Sequence, residues 1–234
     1  DHVQGVAAGS NREMPAPGLD SAREILQALK EKKLTMEELD SCVEDLLKAV
    51  MTLSAKAKNK KTSFSKEEHH ELAKKAAEQS AVLLKNIDNI LPLAPGTKVA
   101  VIGDFAVEPR YQGAGSSMVN PTKLETMEQV MRNYDLEVVG ICRGYQRSGE
   151  EDAVMKKEAL DLAANAEVVI YCFGLDELSE SEGLDRPHMR IPQNQIELLK
   201  AIVQVNENVT GILSAGAAVE MPWHNCCKAI LHGY

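Results

Sequence analysis

Short apolar runs alternate with amphipathic segments along the second half of the chain. Runs rich in valine and isoleucine occur at residues 99–102, 136–141, 168–173, 209–214 and 229–231. Between them, at 124–134, 151–164 and 193–205, apolar residues recur every three or four positions. Short strands separated by helices of this size indicate βαβ units. We therefore predict an α/β fold in which a mainly parallel sheet is sandwiched between helices on both faces.

Three amphipathic segments precede this alternation, and each begins at a residue that favours a helix N-cap. The predicted caps are Asp20 or Ser21, Thr35 and Ser65. A glutamate follows the second and third caps at the spacing of a capping box, at Glu38 and Glu68. We expect the first helix to end near residue 33. The apolar face of the third is expected to continue through Leu83 and Leu84 toward Asn86.

Residues 55–64 lie between the second and the third of these amphipathic segments. Their sequence, AKAKNKKTSF, breaks the apolar periodicity and carries four lysines, which is typical of an interdomain linker. The predicted organisation is a helical segment over 1–54, a linker over 55–64 and an α/β domain over 65–234. The chain begins without methionine and ends directly after an apolar run. We expect both ends to be cuts in a longer protein.

Charge and composition exclude several classes of function. The net charge of −9 and the pI near 5.3 argue against non-specific nucleic-acid binding, which requires clustered lysine and arginine. We identify no signal peptide and no membrane span, so no membrane partner is expected. Five cysteines without CxxC spacing indicate neither a zinc site nor a disulfide framework. Buried, reduced thiols at Cys42 and Cys172 favour a cytoplasmic protein.

A polar loop over residues 174–192 is the strongest candidate for function. It follows the apolar run 168–173 and holds five carboxylates, Asp176, Glu177, Glu180, Glu182 and Asp185. In open α/β sheets, ligands bind beyond the carboxyl ends of parallel strands, which is where this loop begins. The residues alone favour a catalytic loop and a solvated, cation-binding surface loop equally.

Other motifs give weaker signals. Glycine and serine at 113–117 allow a backbone to approach a ligand closely, but neither GxGxxG nor GxxxxGK[ST] is present. We expect a tight turn beside a ligand there, and no nucleotide cofactor. His69 and His70 lack the H-E-x-x-H arrangement, so no metal is expected. No GxSxG elbow supports a serine hydrolase. Trp223 is expected to pack against the acidic loop or to fill the core.

Five segments, in order, carry a family resemblance. They are AGSNREMP at 8–15, AAEQSAVLLKN at 76–86, QGAGSS at 112–117, ESEGLDR at 180–186 and EMPW at 220–223. Together they resemble motifs of glycoside hydrolase family 3, the β-glucosidase and β-xylosidase type. Asn11 replaces the usual aspartate, and Ala114 replaces a glycine.

The resemblance implies a retaining glycosidase of two domains, a (β/α) barrel followed by an α/β sandwich. Residues 1–54 would be the last segment of the barrel, and Glu182 matches the family's general acid/base. The resemblance also suggests supporting or substrate-adjacent residues: Glu180, Asp185, Arg186, Gly113, Gly115, Ser116 and Trp223. Glu180, Asp185 and partial burial when the loop docks are expected to raise the pKa of Glu182, with Arg186 pinning Asp185.

The same resemblance implies that half of the catalytic pair is elsewhere. The family's nucleophile is an aspartate in a Ser-Asp-Trp stretch, which this sequence lacks. We expect it upstream, on the missing barrel domain, and we expect the chain alone to be inactive. The implied substrate is a β-linked oligosaccharide or glycoside, with a terminal glucoside favoured. The alternative is a carbohydrate-binding or interaction module without catalysis.

Overall fold

A computed structural model describes residues 2–16, 18–58 and 60–234 of the chain. It divides into two compact units, Asp1–Phe64 and Ser65–Tyr234. The assignment of 1–54 to a barrel segment and of 55–64 to a linker stays a prediction. Across the described residues, no helix combines the length and apolar character that a membrane span requires.

The described residues of the first unit form three helices, α1 (His2–Ala7), α2 (Asp20–Lys30) and α3 (Met36–Ala57). Helix α2 ends before the predicted residue 33 because Lys32 adopts a left-handed conformation, with φ of 58°. The amides of Lys32 and Lys33 then donate to the carbonyls of Leu29 and Ala28, which completes a Schellman ending.

Helix α3 begins as predicted but ends later than the start of the predicted linker. The capping box is confirmed, because the Thr35 hydroxyl accepts from the Glu38 amide and the Glu38 carboxylate accepts from the Thr35 amide. Alanine and lysine are good helix formers, so residues 55–57 remain helical. The unit's buried apolar side chains, among described residues, are Ala28, Leu34 and Cys42.

The second unit is a six-stranded sheet with helices. Its strands are β1 (Val82–Asn86), β2 (Lys98–Ile102), β3 (Glu137–Cys142), β4 (Val168–Gly174), β5 (Val209–Ser214) and β6 (Ala229–His232). Its helices are α4 (Lys66–Ser80), α5 (Asp104–Val107), α6 (Met127–Met131), α7 (Ala153–Ala164) and α8 (Gln193–Val205). The strand order is β1-β6-β5-β4-β2-β3, and only the β1–β6 pair is antiparallel. The predicted α/β fold with a mainly parallel sheet is confirmed.

Strand β4 forms the centre of the core, and all seven of its residues are buried. Its side chains alternate between two apolar clusters, one on each face of the sheet. Val169, Tyr171 and Phe173 join the larger cluster, which includes residues of α7 and α8. Val168, Ile170 and Cys172 join the smaller one, with residues of α5 and α6. Burial on both faces explains why this strand is an unbroken apolar run.

The prediction that the third helix continues to Asn86 is wrong. Helix α4 ends at Ser80, and Val82–Asn86 is a strand that pairs antiparallel with β6. The apolar residues Leu83 and Leu84 fit a helical face equally well when the sequence is read locally. The backbone partner that selects the strand, Ala229–His232, lies far along the chain. The start of the helix is confirmed, since the Ser65 hydroxyl accepts from the Glu68 amide at 3.2 Å.

The five cysteines are unpaired, and four of them are buried. The predicted burial of Cys42 and Cys172 is confirmed. Burial raises the pKa of Cys142, Cys172 and Cys227 to about 12. These three thiols are therefore protonated near neutral pH and are not nucleophiles.

Two glycines allow neighbouring strands to approach closely at the carboxyl edge of the sheet. Gly103 and Gly174 have φ of 137° and 150°. A Cβ atom at Gly174 would lie 1.9 Å from the Ser214 carbonyl oxygen, and one at Gly103 would lie 1.9 Å from that of Cys172. Only glycine fits both the backbone conformation and the space, so these residues fix how the loops leave the sheet.

We expect Gly174→Ala to lower the free energy of unfolding by at least about 2 kcal/mol, because backbone strain and a backbone clash combine. Gly149→Ala is the matched control, since Gly149 has φ of 91° but nothing within 4 Å of the added Cβ. It should cost only about 1 kcal/mol, from the backbone alone. Urea unfolding of the 234-residue chain measures both. Equal losses would contradict the role of close approach.

Candidate functional site

The loop after β4, residues 175–192, is attached to the domain by its own carboxylates. Asp176 closes a turn within the loop, because its Oδ1 accepts from the Ser179 amide at 2.7 Å. Glu177 lies 3.2 Å from Nη1 of Arg147, which follows β3. These carboxylates therefore hold the start of the loop in place rather than facing solvent unpaired.

Arg147 belongs to a charge network around Asp104. Asp104, in the first turn after β2, is buried and accepts from Arg143 and from Nε of Arg147, the latter at 2.6 Å. The Arg147 guanidinium also lies over the Phe105 ring, 4.7 Å from its centroid. Through Arg147 and Glu177, this network connects the loops that follow β2, β3 and β4.

Glu180 is the most fully engaged carboxylate of the loop. Its side chain is 10% exposed, and its Oε2 lies 2.6 Å from Nη1 of Arg110, whose side chain is 7% exposed. Oε2 also accepts from the Gly216 amide at 2.9 Å, and Oε1 accepts from the Ala217 amide at 2.7 Å. With both oxygens accepting, Glu180 acts as an anchor between the loop and the segments after β2 and β5.

Glu182 is exposed, and a turn after β2 holds it. Its Oε2 accepts from the Ser116 amide at 2.8 Å, and its own amide donates to the Ala114 carbonyl at 3.0 Å. Hydrogen bonds from the Ser116 hydroxyl and amide lower the pKa of Glu182 and outweigh a small effect of burial. Glu180 and Asp185 therefore do not raise this pKa in the described chain, and the expected effect of burial on docking stays a prediction. Glu182 is exposed, so desolvation raises its pKa only slightly. The nearby Arg110 pairs with Glu180 rather than with Glu182.

Gly115 permits the turn to lie against the loop. It has φ of 114°, and a Cβ atom there would lie 2.4 Å from Cβ of Glu182. At Gly113, by contrast, a Cβ would lie 3.5 Å from the Glu180 carbonyl oxygen, which is an ordinary van der Waals distance. Residues 113–117 thus form a tight turn at the carboxyl edge of the sheet, as the sequence predicted.

Asp185 and Arg186 do not form the expected pair. Among the residues that the structure describes, no ion pair or hydrogen bond engages the Asp185 carboxylate, which is exposed. Arg186 donates from Nη2 to the Ala218 carbonyl at 2.8 Å and so ties the loop to the segment after β5. Both residues line a cleft of about 510 Å³ with Arg110, Gly113, Glu180 and Gly216.

Trp223 lies in the core. It is 2% exposed, and its ring packs edge-on against Phe173 with centroids 4.7 Å apart. Of the two positions that the sequence left open, the structure shows the core position. The ring therefore offers no open face to a ligand in this chain.

Sequence reasoning missed the groups that hold the loop, namely Asp104, Arg110, Arg147, Gly216 and Ala217. A signal was present for the arginines, because five carboxylates in a loop with only two arginines require cations from elsewhere. Arg143 and Arg147 follow a predicted strand end, where such partners gather. No comparable signal marks backbone amides such as those of Gly216 and Ala217.

No metal site is evident among residues 2–16, 18–58 and 60–234. No group of three or more His, Cys, Asp or Glu side chains there is placed to hold an ion. His70 pairs with Glu125, with Nε2 3.3 Å from Oε2.

We expect Glu180→Gln to lower the free energy of unfolding by about 3 kcal/mol, because it leaves the buried Arg110 guanidinium without its counter-charge. Asp161→Asn is the control. It breaks an exposed pair with Lys157 within α7 and should cost less than about 0.5 kcal/mol. Urea unfolding distinguishes the two variants. A Glu180→Gln loss no larger than that of the control would show that the anchor contributes little.

The comparisons with known proteins agree on one family. Residues 81–234 match the model described as glycosyl hydrolase family 3 C-terminal domain. The chain is 38% identical over 238 residues to thermostable β-glucosidase B of Acetivibrio thermocellus and covers 31% of it. It is 35% identical over 247 residues to an exo-α-(1→6)-L-arabinopyranosidase of Bifidobacterium breve and covers 32% of that protein. Both alignments include all of this chain, which spans about a third of the length of these curated relatives.

Solved structures agree with the sequence comparison. The crystal structure of a Bifidobacterium adolescentis GH3 β-glucosidase matches the whole chain and 34% of that protein, with 37% identity and a TM-score of 0.84. A Listeria innocua β-glucosidase in complex with isofagomine matches with a TM-score of 0.81, and at 22% identity it shows the shared fold alone. The family match over residues 81–234 and the identities along its whole length show that this chain belongs to glycoside hydrolase family 3.

Proposed function

We propose that this chain is part of a retaining β-glycosidase and supplies its general acid/base, Glu182. The proposal rests on the different contacts and exposures of the five carboxylates of the loop. Asp176, Glu177 and Glu180 are committed to holding the loop. Glu182 is both exposed and fixed by a neighbouring turn, whereas the exposed Asp185 has no such hold. A proton donor must be open to substrate and held in one place.

The chemistry assigns Glu182 two successive roles. In retaining hydrolysis, one carboxylate attacks the anomeric carbon while a carboxyl group donates a proton to the leaving oxygen. The same group, now ionised, then removes a proton from the water that releases the sugar. The lowered pKa in this chain suits the second role. Covering of the loop by substrate and a second domain would desolvate Glu182 and raise its pKa toward the value that the first role needs.

The nucleophile, in this proposal, comes from a barrel domain. No Ser-Asp-Trp stretch occurs in the sequence, and the matched relatives are about three times as long. Helix α3 gives further support for a second domain in the longer protein. Apolar side chains on this helix are at least half exposed: Leu47, Val50, Met51 and Leu53. A face of this kind ordinarily packs against another part of the protein.

The proposed substrate is a β-D-glycoside cleaved at its non-reducing end, with glucose as the favoured sugar. Several relatives are named β-glucosidases, which supports glucose. Others are named an arabinopyranosidase and an exo-1,4-β-xylosidase, so the sugar varies within the family. The choice among sugars is expected to depend on the barrel.

We expect the 234-residue chain alone not to hydrolyse aryl β-glycosides, because one carboxyl group cannot act as both nucleophile and proton donor in the first step. Release of nitrophenol from aryl β-glucosides, measured with the purified chain, provides the test. Turnover that disappears in Glu182→Ala would contradict the expectation. Turnover that persists in Glu182→Ala would instead indicate a contaminating enzyme.

In the full-length enzyme, Glu182→Ala should lower kcat/KM for a substrate with a poor leaving group by roughly 10²- to 10⁴-fold. An activated leaving group departs without being protonated. The rate of the first step should therefore fall much less for such a substrate. Azide should restore turnover of the activated substrate, because it attacks the glycosyl-enzyme without general-base help.

Asp185→Asn is the matched control, since it neutralises the other exposed carboxylate of the same loop. It should leave both substrates nearly unchanged. Equal losses for both substrates in Glu182→Ala would show that Glu182 is not the proton donor, and a selective loss in Asp185→Asn would transfer that role to Asp185.

A further inference from the structure

The turn at residues 113–117 contacts both the carboxylate and the backbone amide of Glu182. The Ser116 amide donates to its carboxylate at 2.8 Å. The Glu182 amide donates to the Ala114 carbonyl at 3.0 Å, and Ala114 pairs with Ser181 as an isolated parallel β-bridge. The backbone and the side chain of Glu182 are therefore both held by the same turn.

The close approach depends on Gly115. A Cβ atom there would lie 2.4 Å from Cβ and 2.7 Å from Oε2 of Glu182. Distances below about 3 Å are not tolerated between such atoms without movement. Any side chain at this position would push the glutamate out of its contact with Ser116.

We propose that residues 114–116 are a positioning element that binds the ionised carboxylate of Glu182 through Ser116 and keeps it ready to act as the base. This inference rests on the proposed function of Glu182. Ser116 is a positioning residue and does not itself contact the reacting atoms.

The two donors of Ser116 differ in what they allow. A backbone amide can only donate, so its bond to Oε2 favours the ionised carboxylate. A hydroxyl can rotate to donate or to accept, so a serine side chain beside that amide is compatible with both protonation states of Glu182. The serine side chain thus suits a residue that must alternate between the two protonation states.

The charged groups of the two segments do not account for this hold. Arg110 and Glu180 pair with each other, and Arg186 donates to a carbonyl of the segment after β5. Asp185 is exposed. The pKa of Glu182 is lowered by the Ser116 hydroxyl first and the Ser116 amide second, against weak desolvation. Removal of the hydroxyl should therefore be felt directly at Glu182.

The first test is a titration of the Glu182 carboxyl carbon by NMR in the 234-residue chain, with Glu182→Gln to assign the signal. Ser116→Ala should shift the titration midpoint upward, whereas Ser116→Thr, which keeps the hydroxyl, should remain near the original value. Ser117→Ala is the matched control, because Ser117 is an exposed serine one position along the same turn. A midpoint in Ser116→Ala equal to that of Ser117→Ala would overturn the inference.

Gly115→Ala provides a second variant that acts by displacement rather than by loss of a donor. It should also shift the midpoint upward, and it should disturb the backbone signals of Ala114 and Ser181 because their bridge opens. An unchanged midpoint together with an unchanged bridge would count against the proposed hold. The variant is at an exposed position, so the fold of the domain is expected to survive.

The second test is the pH profile of the full-length enzyme on a substrate with a poor leaving group. The basic limb of kcat/KM reports the pKa of the proton donor in the free enzyme. A higher pKa keeps the donor protonated to higher pH, so Ser116→Ala should move this limb upward while Ser117→Ala does not. An unmoved limb would overturn the positioning role.

The outcomes separate this inference from the proposed function. If azide rescues Glu182→Ala but Ser116→Ala leaves the titration unchanged, Glu182 is the acid/base and the hold by Ser116 is wrong. If the titration shifts but Glu182→Ala affects both substrates equally, the contact with Ser116 is real and its catalytic meaning is overturned.

Discussion

The acidic loop depends on one ion pair with low exposure, between Glu180 and Arg110. The same carboxylate also accepts the amides of Gly216 and Ala217, so three separate segments at the edge of the sheet meet at a single group. Such a charge is tolerable away from water only when its oxygens are satisfied together. Once Glu180 is fixed in this way, Glu182, two residues further on, can lie against the turn at 113–117.

Residues of the same type perform different work in this loop because their surroundings differ. Glu177 faces the guanidinium of Arg147 and anchors the start of the loop. Glu182 meets a hydroxyl and an amide, which bind a carboxylate without neutralising it by a full charge. A carboxylate that forms a salt bridge is held too firmly to exchange protons readily, whereas one held by neutral donors remains available. Glu182, the proposed acid/base, lies in the second kind of environment.

The sequence predicted the parallel sheet well because its central strands, β2, β4 and β5, are mostly buried and therefore read as apolar runs, and such runs are a local pattern. It failed at Val82–Asn86, where the same leucines fit a helix or a strand and the choice depends on the distant β6. In the site, motifs identified the turn and the loop. They could not identify Arg110 as the partner of Glu180, or the downward shift in the pKa of Glu182, because both depend on distances that the fold creates.

The pairing of β1 with β6 also has a consequence for the order in which the domain assembles. Val82 lies opposite His232, so the chain must be synthesised through residue 232 before this edge of the sheet can form. Contacts between residues so far apart carry a large loop-closure entropy and are made slowly. During that interval the half-exposed leucines of β1 have no strand beside them. In that interval the unpaired backbone of β1 is open to pairing with a strand of another chain.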